Sequence, residues 1–472
     1  MRIAITTDAH FPYPSIVAHT ASHVHGVAEG PAVRWGSLLA EPVFPYGEDL
    51  LQFIWEQRLF DGKALTTTDG TLVEVCRPGR IQRNSGPDLA DADLRIGGQR
   101  WAGSVEVHQR SSEWTAHGHH KDPAYEGVVL HVVHTHDAEV HTLAGHRLPT
   151  VELRSRISSA QLATYQQLMQ ARGFVPCARL LGQFDQARAG IWLERVLVER
   201  LEHRSCAVAA LYRQLRGDAA AMLYHLIARA FGMHVNADPF SMLAHALPLN
   251  VLLRYRDDAL RTEALLFGQA GLLQVDLVDA HPRSLQREFT LLAAKHGLRP
   301  LPTAAWKFGR MRPANLPTLR IAQLAQLLMS WGDTLADLLD LTDVNALYKA
   351  LDVEAGAYWT SHYVFDQESA HRPKRLGRAG VQHLIINAVV PALFTLGKLQ
   401  GHEAWCERAM NFLEHLPPER NSMLEGWKEL GLEVDTAARG QALMELKRSY
   451  CAARRCLTCA IGNHLLRRSV SE

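Results

Sequence analysis

Two carboxylates and a histidine lie close together in the segment Asn84–Asp137, and their types and spacing could support metal chemistry. Asp88 follows a proline in NSGPD, and Glu106 and His108 alternate with apolar residues in SVEVH. Carboxylate oxygens are hard ligands, which hold the Mg²⁺ or Mn²⁺ that polarises a phosphate and activates a water. These residues therefore predict a site for metal-dependent phosphodiester hydrolysis, in which His108 positions or deprotonates the water.

The two carboxylates meet only if the hairpin between them has one particular register. Glu106 and His108 share a strand face, because side chains alternate with a period of two. With a two-residue turn at Gly97-Gly98, Asp88 would pair with Val107 and lie on the opposite face of the sheet. A longer turn or a bulge shifts the pairing by one residue. We expect that shift. Without it, Asp88 is a turn residue and the other two form a solvated pair.

Further histidines follow this hairpin in TAHGHHKDPAY and VVLHVVHTH. We expect His117 to reach the hairpin, where it would contact substrate. A dedicated zinc centre built from these imidazoles is a second possibility, although their spacing matches no compact zinc motif.

The elements around this segment change character along the chain. EDLLQFIWEQRLF has the apolar spacing of one helical face, and short β-rich runs follow it as far as Glu152. Amphipathic helical segments begin beyond about Ser155. The pattern predicts an α+β protein. Its expected parts are an irregular arm at residues 1–46, a mixed α/β domain at 47–155, a large all-α domain at 156–445 and a Cys-rich segment at 446–472.

The predicted order from Glu48 to Asp137 is helix, strand, strand, strand, short helix, strand. Together with the Pro-Asp step and the Glu-x-His sequence, this order resembles the PD-(D/E)XK nuclease superfamily. The resemblance implies that Asp88 and Glu106 hold the metal and that Glu56 on the preceding helix is an accessory acid. His108 stands where that superfamily usually has lysine. Since histidine is partly neutral at pH 7, it could act as a base or a ligand, or the site could be degenerate.

Longer phrases, among them NSGPDLADA, WAGSVEVHQRSSEW, RPANLPTLRIAQ and RRCLTCAIGN, together resemble an uncharacterised bacterial family known only as a domain of unknown function. The resemblance runs from about Leu50 to His464. It implies a shared architecture and brings no established activity.

The segment KRSYCAARRCLTCAIGNH contains Cys451, Cys456, Cys459 and His464. Thiolate and imidazole are ligands that Zn²⁺ favours, so this set predicts a structural zinc site. An iron–sulfur cluster, or thiols without a metal, are the alternatives.

The segment WKFGRMRPANLPTLR combines Lys307, Arg310 and Arg312 with two aromatic residues. Such a loop could bind phosphates and stack on a base, and we expect these three side chains to contact substrate. It could equally be a connection whose arginines pair with carboxylates or helix ends.

The bulk composition excludes few classes of function. Lys+Arg total 50 and Asp+Glu total 49, which leaves room for a local basic groove. No apolar run approaches the length of a membrane span, and the N-terminal residues lack a secretory signal pattern. The odd number of cysteines favours reduced thiols, so we expect a cytoplasmic protein without a membrane partner.

We therefore expect metal-dependent hydrolysis of DNA or RNA. A non-catalytic nucleic-acid-binding or scaffold protein with a degenerate hairpin is the alternative, and a His-assisted metal site for another phosphorylated or amide substrate is a third. The oligomeric state is not indicated by the sequence.

Overall fold

The computed structural model describes residues 45–82, 85–331 and 337–468. The irregular arm predicted for residues 1–46 therefore lies outside the described residues, apart from its last two. The α+β prediction is confirmed, since a mixed sheet precedes a region that is mostly helical. Gly47–Glu472 form one compact unit that contains both. The finer division at residues 155 and 445 stays a prediction.

Six strands form the sheet, and the elements follow the predicted order except that a two-residue strand at Arg80–Ile81 adds a fourth strand before the short helix. The strands are β1 Val73–Arg77, β2 Arg80–Ile81, β3 Leu89–Ile96, β4 Gln99–Arg110, β5 Val128–Thr135 and β6 Thr150–Glu152. Their spatial order is β1-β3-β4-β5-β6, with β2 beside β3. The β1–β3, β2–β3 and β3–β4 pairs are antiparallel, whereas β4–β5 and β5–β6 are parallel.

The turn between β3 and β4 has the two residues that the sequence predicts. Gly97 and Gly98 both have positive φ, at 59° and 85°, which is the backbone of a type I′ hairpin turn. Ile96 accordingly pairs with Gln99. The parallel β4–β5 pair needs a crossover instead, and this crossover contains helix α2 and two 3₁₀ turns before β5 begins.

Helix α1, Glu48–Glu56, packs against β4 through its apolar face. Leu50, Leu51 and Ile54 are completely buried, as the apolar spacing predicts. The indole N–H of Trp55 donates to the carbonyl of Pro78 at 2.9 Å, which ties the helix to the turn between β1 and β2. These contacts fix the rotation of the helix, and therefore which of its polar residues face the sheet.

The region after β6 consists mostly of helices. They are α3 Ser159–Gln170, α4 Gln186–Gln214, α5 Ala219–Phe231, α6 Ala237–Ala246, α7 Leu249–Leu253, α8 Ala259–Gln269, α9 Ala280–His296, α10 Pro317–Ser330, α11 Asp337–Asp340, α12 Val344–Leu351, α13 Gly377–Leu384, α14 Val390–Gln400, α15 Glu403–His415, α16 Ser422–Glu429, α17 Ala437–Glu445 and α18 Ala460–Arg468. A short hairpin, β7 His362–Val364 and β8 Gln367–Glu368, interrupts them.

Aspartate side chains begin several of these helices. Asp185, Asp218, Asp258 and Asp343 each accept a hydrogen bond from a backbone N–H of the first turn. These N–H groups have no partner within the helix, so such a cap stabilises a helix by about 1 kcal/mol.

One continuous helix, Gly377–Gln400, is long and apolar enough to cross a membrane by length and composition. It consists of α13, a π-helical turn at Ile385–Val389, and α14. Of its apolar window, 83% is buried inside the protein, which is typical of a core helix.

Candidate metal centre

Asp88 and Glu106 face each other because β3 contains a bulge. Near the turn the pairing follows the two-residue geometry, with Ala92 opposite Gly103, but beyond the bulge Leu89 pairs with Val105. The pairing has thus shifted by one residue, as the sequence analysis requires. Asp91, at the bulge, has a left-handed φ of 57°, and the extra residue brings the next position, Asp88, opposite Glu106.

Hydrogen bonds fix this pair. The backbone N–H of Asp88 donates to Oε2 of Glu106 at 2.9 Å, and the N–H of Val107 donates to Oδ2 of Asp88 at 3.1 Å. Glu106 is 4% exposed, whereas Asp88 is partly exposed. Each carboxylate therefore has one oxygen bonded to the backbone and a second available to a ligand.

Three histidines complete the group. His108 lies on the same face of β4 as Glu106, and its Nε2 is 3.2 Å from Nδ1 of His117 and 3.7 Å from Oε1 of Glu106. Nε2 of His119 is 3.4 Å from the same Oε1. The ligand nitrogens of the three histidines all lie within 4.8 Å of one another. One divalent ion can bind several atoms that are this close.

The crossover between β4 and β5 presents His117 and His119. Helix α2, Glu113–Ala116, ends at His117, and Gly118 then takes a φ of 81° to start the next turn. Trp114 anchors the helix: it is completely buried, and its indole N–H donates to the carbonyl of His141 at 2.9 Å. The ring of Tyr125 stacks on that of His119, with centroids 3.8 Å apart.

A fourth histidine supports His108 from the neighbouring strand. His131 is completely buried and pairs with Glu106 across the parallel β4–β5 ladder. Its Nε2 lies 2.8 Å from Nδ1 of His108, so one of these two nitrogens carries the shared proton. Since Nε2 of His108 points towards Glu106 and His117, a proton on Nδ1 leaves Nε2 free to bind a metal.

Helix α1 contributes a further acid and an amide. Gln52 hydrogen-bonds to the side chain of Asp88. Glu48, one helical turn earlier, interacts electrostatically with Asp88 and Glu106. Glu56 does not join this group. It lies about 12 Å along the helix from Glu48, and its Oε1 accepts a hydrogen bond from the N–H of Ile81.

Burial and mutual repulsion raise the pKa values of these carboxyl groups. Burial, followed by the charge of Asp88, raises the pKa of Glu106 to about 8. Burial also raises the pKa of Asp88, against the hydrogen bonds from Val107 and Gln52. Burial and the nearby Glu113 and Asp88 raise the pKa of Glu48 to about 7. A cation between these groups would remove the cost of ionising them together.

The same surroundings keep the imidazoles neutral. Burial, followed by the neighbouring imidazoles, lowers the pKa of His108 to about 2 and that of His131 to about 3. Burial also lowers the pKa of His119. A metal binds the neutral form of imidazole. Neutral imidazoles beside carboxylates that repel one another are donors that suit a divalent metal.

The remaining predicted site residues lie elsewhere. Lys307, Arg310 and Arg312 are exposed on a loop of the helical region, where the N–H of Lys307 donates to Oδ1 of Asn236. Arg320, at the end of that segment, is buried and bonded to Gln323 and Asn315. The C-terminal cysteines and His464 belong to α18 and the turns before it.

A family model described as a protein of unknown function, DUF2851, matches residues 48–422. The chain belongs to the DUF2851 family. The matched region begins at Glu48 and contains the whole mixed sheet and the histidine group, and it ends before the C-terminal cysteines. No curated protein and no solved structure matches the chain. The chemistry of this DUF2851 protein therefore has to be argued from its own side chains.

The sequence analysis did not single out Glu48, and it included His119 and His131 only among the imidazoles of a possible zinc centre. The signal for Glu48 was available, because Glu48 and Gln52 are four residues apart and share a side of an otherwise apolar helix. His131 needed the parallel register between β4 and β5, which no short-range pattern in the chain specifies.

Proposed function

We propose that this protein hydrolyses phosphodiester bonds of nucleic acid at a divalent-metal site. The observation that carries the proposal is the meeting of Asp88 and Glu106 across a bulge, beside three imidazole nitrogens that lie within 4.8 Å of one another. Placing the buried Glu106 beside the carboxylate of Asp88 is costly unless a common ligand compensates their repulsion.

The donor set favours Mn²⁺ over Mg²⁺. Carboxylate oxygens suit both ions, but imidazole nitrogen suits the transition metals. Asp88 and Glu106 would supply the oxygens, and His108 with His119 the nitrogens. When bound, the ion lowers the pKa of a coordinated water and stabilises negative charge on the phosphate.

The protein groups around the ion then divide the remaining tasks. His108 has a strongly lowered pKa, which makes it a weak base and a good ligand. Glu48 is better suited to accept a proton from water, since its pKa of about 7 lies near the working pH. His117 is exposed at the edge of the group, where it can donate to the phosphate or to the leaving oxygen.

The nucleic-acid part of the proposal rests on the resemblance to PD-(D/E)XK nucleases in element order and motif. The exposed Lys307, Arg310 and Arg312 are suited to contacting phosphates that extend beyond the site. Neither feature separates DNA from RNA.

The test is a cleavage assay paired with a binding assay. Full-length protein is stripped with chelator, supplied with Mn²⁺ or Mg²⁺, and mixed with single- and double-stranded DNA and RNA. We expect Mn²⁺-dependent cleavage that Asp88→Asn and Glu106→Gln abolish. Glu74→Gln, which neutralises an exposed acid on β1 of the same sheet, should leave it unchanged.

Calorimetric titration with Mn²⁺ shows whether a lack of cleavage comes from a missing metal site or from a lack of nuclease activity. Mn²⁺ binding that depends on Asp88 and Glu106, without cleavage of any substrate, would keep the metal site and reject the nuclease activity. That result favours the non-catalytic alternative. Absence of Mn²⁺ binding would reject both.

A further inference from the structure

Four cysteines from two distant parts of the chain lie together in the helical region. Cys177 is in the loop after α3, whereas the other three belong to the turns that precede α18. The thiols interact electrostatically in every pair among the four, and all four are free. We call this group the four-cysteine site; its members are Cys177, Cys451, Cys456 and Cys459.

Contacts outside the thiols hold the two parts together. The guanidinium of Arg454 donates to the carbonyls of Leu168 and Ala171, at 2.8 and 2.5 Å. The ammonium of Lys447 donates to the carbonyl of Phe174 at 2.5 Å and lies 3.4 Å from the centre of its ring. The residues that precede Cys177 are therefore fixed against the C-terminal segment.

His464 does not belong to this group. Its ring packs edge-on against Phe184, with centroids 5.2 Å apart, and its Nδ1 lies 3.5 Å from a guanidinium nitrogen of Arg188. The ligand set predicted from the sequence thus changes in one member, with Cys177 in place of His464.

The surroundings are those of a thiolate site that needs a positive centre. Cys177, Cys456 and Cys459 are each at most 7% exposed. Burial, together with the neighbouring thiols, raises the pKa of Cys177 and of Cys456 to about 12. The backbone N–H groups of Ile461 and Gly462, at the start of α18, bond to the sulfur of Cys459 and favour its ionised form.

The spacing of the sulfurs favours one kind of centre over another. Among the residues that the structure describes, the one group of three or more ligand atoms all within 4.8 Å of one another is the histidine group, so no three of these sulfurs are that close. A single Zn²⁺ with bonds of about 2.3 Å would hold its four sulfurs about 3.8 Å apart. An iron–sulfur cluster distributes its four thiolates over several iron atoms and spaces them more widely.

We propose that the four-cysteine site binds an iron–sulfur cluster. The Cys-x4-Cys-x2-Cys spacing with one distant cysteine occurs among iron–sulfur proteins, which supports this choice. Binding releases the four thiol protons and leaves four thiolates on iron. The cluster would then join the loop after α3 to the C-terminal segment, which is a structural role independent of the sheet and its acids.

The test is the metal and sulfide content of the full-length protein, purified without oxygen from cells grown with iron. We expect iron and acid-labile sulfide in similar amounts, together with visible charge-transfer absorption. Cys177→Ser and Cys459→Ser should lose all three signals. Cys206→Ser, at an exposed cysteine of α4, should keep them, and so should His464→Ala.

Zinc in place of iron, no bound metal, or full iron retention in Cys177→Ser would each overturn the proposal. Circular dichroism of each variant shows whether a loss of iron accompanies unfolding. If Cys177→Ser unfolds, the iron and sulfide content of the native protein and of His464→Ala decides the question. None of these readouts depends on Mn²⁺ binding or on nucleic-acid cleavage.

Discussion

The backbone N–H of Asp88 donates to Oε2 of Glu106 at 2.9 Å, so the backbone of one proposed ligand holds the side chain of the other. This bond exists only because the bulge between Leu89 and Ala92 shifts β3 by one residue against β4. In the unshifted register Asp88 would lie on the opposite face of the sheet. The proposed metal site therefore depends on the bulge.

The first prediction concerns Asp91, which has a φ of 57° at this bulge. Asp91→Gly should leave stability nearly unchanged, because glycine adopts this conformation without strain. Asp91→Val should lower the free energy of unfolding by about 1–3 kcal/mol, since β-branched residues avoid positive φ. It should also weaken Mn²⁺ binding. Urea unfolding and calorimetric titration measure the two effects. Equal values for the valine and glycine variants would show that Asp91 does not set the bulge.

The hairpin shows how far sequence reasoning reaches. The period of two in SVEVH and the Gly97-Gly98 turn fix the register at one end, and together they show that a shift is needed. The place of the shift could not be read from the sequence, because Asp91 is not a residue type that demands a positive φ. The place of the shift depends on how the finished sheet packs.

Glu56 and Cys177 show two different limits of prediction from the sequence. Glu56 was expected near the site from its place on the preceding helix, but it lies about two turns further along that helix than Glu48, which is the acid that interacts with Asp88. Cys177 could not be connected to the C-terminal cysteines, because tertiary packing alone brings such distant segments together.

The second prediction compares two acids on one helix. Glu48→Gln should weaken Mn²⁺ binding and, if the protein is a nuclease, lower kcat by about 10²–10⁴-fold as expected for loss of a general base. Glu56→Gln should change neither, because its amide oxygen can still accept the N–H of Ile81. Binding and cleavage assays on the two variants provide the measurement. A larger effect from Glu56→Gln would return the accessory role to Glu56.

The third prediction concerns His131, whose Nε2 lies 2.8 Å from Nδ1 of His108. His131→Leu removes this partner while keeping an apolar side chain in the buried position. Mn²⁺ affinity should fall about 10–100-fold, as for other groups that orient a metal ligand. His131→Gln offers a polar atom near the same place and should recover part of the affinity. Equal losses in both variants would assign His131 to packing alone.

The last prediction concerns the stability of the metal-free protein between pH 5 and 8. Burial raises the pKa of Glu106 to about 8 and that of Glu48 to about 7, from a reference of 4.5. A carboxyl with a raised pKa contributes stability that is present below its unfolded value and is lost as pH rises through its folded value. The lowered pKa values of the buried histidines, among them His108, His119 and His131, act oppositely, and their effect is nearly complete only above about pH 7.5, where the unfolded-state imidazoles have lost most of their protons.

Above about pH 7.5 the acids therefore dominate, and the free energy of unfolding should fall as pH rises, by at most about 1.4 kcal/mol per pH unit for each group. Glu106→Gln removes one titrating group, so its stability should fall less steeply over this interval. Saturating Mn²⁺ should abolish the decline in the native protein, because the ion stabilises the ionised carboxylates. Chemical unfolding at fixed pH values, with chelator or with Mn²⁺, measures all three curves. Parallel curves for the native protein and Glu106→Gln above about pH 7.5 would mean that Glu106 is already ionised below that pH without a metal.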